Sequence, residues 1–192
     1  MSPMTVYVAL LRGINVGGNN LIRMPALKAC FEGQGFRDVS TYIQSGNVLF
    51  TAGRWNPDAQ TARMETTLSR TFAYRSRVVV RSLDQMKAIV EDRPKGFGSR
   101  PAAYRYDVVF LKPPLGVEEA IGSIPARAGV DRVLAGDGVL YCSRLISKAA
   151  QSGMSRVAGT PAYQNMTVRN WNTTTKLLEL MERIRLEGTG KA

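Results

Sequence analysis

Val39-Ser40-Thr41-Tyr42-Ile43-Gln44-Ser45-Gly46-Asn47-Val48-Leu49-Phe50 reads as two strands joined by a tight turn at Ser45-Gly46-Asn47. β-Branched and aromatic residues fill the flanks, and a short polar run with one glycine fills the middle, as a hairpin requires. What lies on either side of this hairpin sets the fold. Upstream, Val6 to Leu11 is an uninterrupted apolar run that predicts a buried strand. Pro25 suits a first helical turn, and Leu27, Cys30 and Phe31 share one helical face. Gly35 can close that helix, with Phe36 folding back on it. Downstream, Asn56-Pro57 is a cap and first-turn pair, and Met64, Leu68 and Phe72 recur every four residues. Val78-Val79-Val80 is the next strand. The order is βαββαβ, that of the ferredoxin-like unit.

The second half repeats this order more faintly. Ser82-Leu83-Asp84-Gln85 predicts a capping box opening a short helix with Met86, Ile89 and Val90. Arg93 to Pro101 is rich in Gly and Pro and predicts a linker. Asp107 to Leu111 is a strand and Val117 to Ile124 a short helix; Asp131 to Leu134 and Val139 to Cys142 flank a turn at Asp137-Gly138. A helix near Ser147 to Val157 and an extended Gln164 to Val168 complete the second set. Asn172 is expected to cap a last helix with Leu177, Leu178, Met181 and Ile184 as its apolar stripe. The expected fold class is α+β. Two tandem ferredoxin-like subdomains, residues 1–95 and 96–192, are expected, the second carrying the C-terminal helix.

Composition bounds the function. With 192 residues, 44% of them hydrophobic, the chain can bury a core without disulfide or metal staples. The apolar run Val6 to Leu11 is far short of the roughly 20 residues that span a bilayer. The start at Met1-Ser2-Pro3-Met4 carries no basic region or cleavage site, so a soluble, cytoplasmic protein without membrane partners is expected. The formal charge is +11, and Arg outnumbers Lys 19 to 7. Guanidinium is the better fork for phosphate or carboxylate, which favours an anionic partner. A surface kept soluble by positive charge accounts for the same numbers.

There is no histidine, which excludes His-based triads and His metal sites. Cys30 and Cys142 are far apart and sit in apolar surroundings, so they read as small buried hydrophobes. No metal site and no cofactor is expected. Asp107 and the pair Glu118-Glu119 are the nearest candidates for a general base, and each has a plain strand-end or helix-start explanation. Catalytic residues stay unassigned, and whether the protein is an enzyme stays open.

Three polar clusters stand at element ends, where binding sites are usually built. Arg12 to Asn20 places Arg12, Asn15, Gly17, Gly18 and Asn19 between a strand and a helix, a setting in which backbone N–H groups surround anions. It matches neither the P-loop nor the dinucleotide fingerprint. The hairpin tip adds Gln44, Ser45 and Asn47, and the third cluster adds Arg169, Asn170, Trp171 and Asn172. Trp171 also has a structural reading, as a ring closing the core beneath a helix start.

Tyr7 to Gly18, Thr41 to Val48 and Thr167 to Thr173 resemble the three signatures of a bacterial family, the domain-of-unknown-function family 1697. The resemblance implies a compact α+β fold of ferredoxin-like halves and implies no activity. Many members carry a Gly-rich basic segment before the last extended piece; Ser147 to Arg156 occupies that region here with fewer glycines. Three functional readings follow. The first is a cleft between subdomains, walled by the three clusters, that binds a phosphate- or nucleotide-like small anion. The second is nucleic-acid binding, although Val48-Leu49-Phe50 lacks the RNA-recognition signature. The third is a non-catalytic interaction domain.

Overall fold

The computed structural model describes residues 4–53 and 56–189. The chain divides into two units, Met1–Met86 with Lys176–Ala192, and Lys87–Thr175. Each holds one four-stranded antiparallel sheet.

In the first unit β1 (Thr5–Leu11) is followed by α1 (Met24–Glu32), β2 (Arg37–Tyr42), β3 (Asn47–Ala52), α2 (Pro57–Phe72) and β4 (Val78–Ser82). The sheet order is β2-β3-β1-β4, and Val6 to Leu11 is buried throughout, as its unbroken apolar run requires. Tyr7, Ala9 and Leu11 of β1 join Val48 and Phe50 of β3, Leu27 and Phe31 of α1, and Met64 and Leu68 of α2 in one core. Phe36 does fold back: its ring lies 5.8 Å from Phe31 and 4.5 Å from Phe50. Asn56 caps α2 by accepting from the Ala59 N–H, with Pro57 in the first turn. β2 carries a bulge between Arg37 and Ser40, where Asp38 takes a left-handed conformation and accepts a 2.7 Å hydrogen bond from Thr51.

The capping box at the start of α3 (Leu83–Glu91) closes reciprocally, Ser82 N–H to Gln85 Oε1 and Gln85 N–H to Ser82 Oγ. The second unit continues with β5 (Tyr104–Leu111), α4 (Val117–Ser123), β6 (Asp131–Gly136), β7 (Val139–Leu145) and β8 (Met166–Asn170), in the sheet order β6-β7-β5-β8. Gly138 supplies the left-handed residue of the β6–β7 turn. α5 (Trp171–Thr189) ends the described chain.

Three expectations differ from what is found. The unit boundary falls at Met86/Lys87 rather than near residue 95, and the residues of α5 from Lys176 group with the first unit. The helix expected near Ser147 to Val157 is a series of 3-10 turns, Ile146–Gln151, Met154–Gly159 and Pro161–Asn165. The reason is a tertiary contact: Asp131 accepts from both Ser152 Oγ (2.6 Å) and Gly153 N–H (2.8 Å), which draws the chain out of any continuous helix at that point. The cap of α5 is Asn170, whose Oδ1 accepts from Thr173 N–H at 2.7 Å; Asn172 lies inside the first turn. Among the described residues no helix is long and apolar enough to cross a membrane.

Candidate functional site

The first two polar clusters form one assembly in the first unit. Asn15 occupies the left-handed region and uses its whole amide: Nδ2 donates to Ile22 O (3.0 Å) and Gln44 O (2.8 Å), and Oδ1 accepts from Ile22 N–H. Asn20 Nδ2 donates to Gly13 O, and Leu11 N–H donates to Gly46 O. Asn47 is fully buried, its Nδ2 donating to Tyr42 O and to Ser45 Oγ. Gly46 has no room for a side chain, since a Cβ would lie 2.8 Å from Leu11 Cβ. Asn15, Ser45 and Asn47 therefore hold the loop and the hairpin together. Gly17, Gly18, Asn19 and Gln44 lie exposed around them, and Arg12 is half-buried.

The third cluster belongs to the second unit. Arg169 is buried in β8, donates to Val168 O at 2.8 Å, and is pushed down to about 10 by burial, so it stays charged at neutral pH. Trp171 sits against Gly98, where a Cβ would lie 2.6 Å from the indole nitrogen, with Phe97 edge-on at 5.2 Å and the Arg93 guanidinium 5.9 Å from its ring. Asn170 is committed to the cap.

Residues outside the three clusters build the larger concavity. A cleft of about 560 Å³ opens between the Pro94 to Arg100 turn and the face of the second sheet that carries Tyr104, Tyr106, Arg132, Leu134, Tyr141 and Ser143. Lys95, Arg100 and Arg132 supply cations, and the Arg100 guanidinium lies 5.4 Å from the Tyr104 ring. Phe97 meets Tyr106 and Tyr141 edge-on at 4.9 and 5.3 Å. Tyr141 donates to Ile89 O at 2.7 Å and is pushed up to about 12, by burial first and by Asp92 second. A second cleft of about 490 Å³ shares Tyr104 and Tyr106, and adds Arg105, Arg144, Asn170, Trp171 and Asn172. Alternation along β5 was readable in advance: Tyr104 and Tyr106 fall on one face. That an irregular turn would border them was not.

A family model described as "Protein of unknown function (DUF1697)" matches residues 4–141. The chain belongs to the DUF1697 family. The first two signatures lie inside the match and the third beyond it. The solved structure of the conserved bacterial protein SP0830 from Streptococcus pneumoniae is similar, with 25% identity and a TM-score of 0.81 over 93% of this chain and 99% of that one. No curated protein matches the chain.

Among the described residues, the one acid lining the larger cleft of this DUF1697 protein is Asp131. Burial acts to raise it, but hydrogen bonds from Ser152 Oγ and from the N–H groups of Arg127 and Gly153, with the charge of Arg144, hold it below the usual carboxylate range. A carboxylate depressed on folding stabilises the protein above its unfolded value, near 3.9, and that stabilisation is lost as pH falls through the folded value. Asp131→Asn should therefore lower the urea midpoint at pH 7 and shrink the difference in midpoint between pH 7 and pH 3. An unchanged midpoint at pH 7 would remove this role.

Asp107, the strand residue considered for base chemistry, behaves oppositely. Burial raises it, more than Arg105 and Arg144 lower it, and Arg105 Nε lies 3.4 Å from its carboxylate. Glu118 and Glu119 are confined to the first turn of α4, a favourable place for acids at a helix start. Cys142 is pushed up to about 12 by burial, then by Asp107 and Asp131, so it is an inert thiol; Cys30 is also free and is half-buried. Among the described residues no group of three or more His, Cys, Asp or Glu is placed to hold a metal ion.

Proposed function

We propose that this DUF1697 protein binds a phosphate-bearing, nucleotide-like small molecule in the aromatic and basic cleft of its second unit. The observation that carries this is the lining: Tyr104 and Tyr106 beside Lys95, Arg100 and Arg132, with the one acid among the described residues there, Asp131, tied up by three donors. Rings stack on a base while guanidinium forks meet phosphate oxygens. The adjoining cleft, with Trp171, Asn172 and Arg144, gives the rest of such a molecule a wall. We also read each unit as ferredoxin-like. Both sheets place their strands, numbered within the unit, in the order 2-3-1-4, which the split βαβ connection produces. Two free thiols suit a reducing, cytoplasmic compartment.

The test is calorimetric titration with adenosine and guanosine mono- and triphosphates. Binding should weaken with salt, and the double substitution Arg100→Ala with Arg132→Ala should weaken it about a hundredfold through the loss of two charge-assisted contacts. Affinity should be nearly flat between about pH 6.5 and 8, since there is no histidine and Cys142 and Tyr141 titrate near 12. No binding by any of these nucleotides, or salt-insensitive binding, would overturn the proposal.

A second reading, single-stranded nucleic acid, is favoured by the way two clefts share one tyrosine pair, an arrangement suited to stacking successive bases. It requires an oligonucleotide to bind more tightly than a mononucleotide, with a steep salt dependence.

A further inference from the structure

On the opposite face of the second sheet is a cavity that the nucleotide reading does not use. In the first unit the helical face of the sheet is closed by α1 and α2, with Met64 and Leu68 filling the core. In the second unit α4 covers part of the corresponding face, and the remainder is covered by 3-10 turns, which leave a space of about 220 Å³. Its walls are mostly apolar: Val109 of β5, Val168 of β8, Ile124 after α4, and Met154 and Val157 of the second 3-10 turn.

Two charged side chains also border it, Asp107 and Arg144. In the sheet register Asp107 lies opposite Cys142 and Arg105 opposite Arg144, so Asp107 and Arg144 are diagonal neighbours on one face of adjacent strands. Asp107 keeps only 16% of its side chain exposed, whereas its partner Arg105 is 58% exposed. Asp107 has two cations beside it, Arg105 and Arg144, and Arg144 also lies opposite Asp131. Burial still outweighs both cations at Asp107, so an ammonium there is favourable, and the five N–H donors of Arg144 leave it able to fork a carboxylate. An apolar space with one charge of each sign at its border is complementary to a zwitterion with an apolar tail.

We propose that this cavity binds a free α-amino acid with a medium-sized apolar side chain, its ammonium on Asp107, its carboxylate on Arg144, and its side chain among Val109, Ile124, Val157 and Val168. The volume bounds the size class: an apolar space of about 150 Å³ takes a benzene ring, so this one has room for a branched aliphatic, thioether or single-ring side chain and not for a much larger group. Asp107 already stands above the usual carboxylate range through burial, and an added cation would restore its charged form. The site shares Arg144 with the smaller cleft beside the nucleotide one, but Asp107 and the apolar walls belong to it alone, and titration with amino acids tests it apart from the nucleotide reading.

The experiment is calorimetric titration of the intact protein with L-leucine and L-methionine, beside leucinamide, which lacks the carboxylate, and 4-methylpentanoate, which lacks the ammonium. The two amino acids should bind, and each truncated analogue should bind at least about tenfold more weakly, as expected for a lost charge-assisted contact. Asp107→Asn and Arg144→Met should each weaken L-leucine binding by a similar factor. Val157→Phe, which fills the cavity, should abolish it while the protein still melts cooperatively. Equal binding of leucinamide or 4-methylpentanoate would overturn the zwitterion assignment. Absence of binding by both amino acids at millimolar concentration would overturn the site, whatever the nucleotide titration gives. A Val157→Phe protein that binds L-leucine as the wild type does would overturn it as well.

Discussion

Gly153→Ala should unfold the protein at temperatures the wild type withstands, lowering Tm by about 10 °C or more, for a cost of roughly 3 to 5 kcal/mol. This glycine is not demanded by its backbone angles, which are in the ordinary right-handed helical region. It is demanded by space. A Cβ there would overlap the Pro125 carbonyl oxygen and lie 2.6 Å from the Pro125 carbonyl carbon and 3.3 Å from Ala126 N. All three are backbone atoms, so no rotamer relieves the overlap and one chain segment must move. Moving the Ser152-Gly153 segment would break its two hydrogen bonds to Asp131, and moving residues 125 and 126 would disturb the chain leaving α4 beside the buried Ile124. Thermal melts and urea titrations of the two proteins decide it. A Tm within about 2 °C of wild type, less than 1 kcal/mol by the same conversion, would show that the contact is easily relieved.

Asn47→Ala should cost about 2 to 3 kcal/mol, or roughly 5 to 10 °C in Tm, although it deletes only an amide. The side chain is fully buried and donates to Tyr42 O and Ser45 Oγ, so its loss removes both hydrogen bonds from the part-buried hairpin tip and opens a small void. The hairpin tip it braces presents Gln44 O to Asn15, and the loop between β1 and α1 should loosen with it. Faster amide exchange across residues 13–22 and 42–47, measured on the folded protein, is the accompanying signature. An unchanged Tm would instead place Asn47 with residues kept for a ligand.

The contrast between Asn47 and Tyr104 shows how far a site can be read from residue types. Gly, Asn and Arg gather at element ends both where a ligand binds and where the backbone needs left-handed turns and local hydrogen bonds. In the sequence the two causes look alike. In the folded chain the amide partners separate them: Asn15 and Asn47 hydrogen-bond within the loops, and Asn170 caps α5. Tyr104, Tyr106 and Arg132 carried no such local signal, because nothing in a strand's own sequence shows which turn will border its face.

Local patterns of residues set the series of elements and most of their ends. The apolar runs of β1 and β3, the capping box at Ser82 to Gln85, the Asn56-Pro57 start and the Asp137-Gly138 turn act over a few residues, and short-range sterics and hydrogen bonding suffice to place them. The tertiary structure decided the rest. It turned the helix expected near Ser147 to Val157 into 3-10 turns, because Asp131, some twenty residues away, takes the Ser152 hydroxyl and the Gly153 N–H. It also set the two clefts and the apolar cavity of the second unit, which depend on contacts among residues distant in the chain and are encoded in no local pattern.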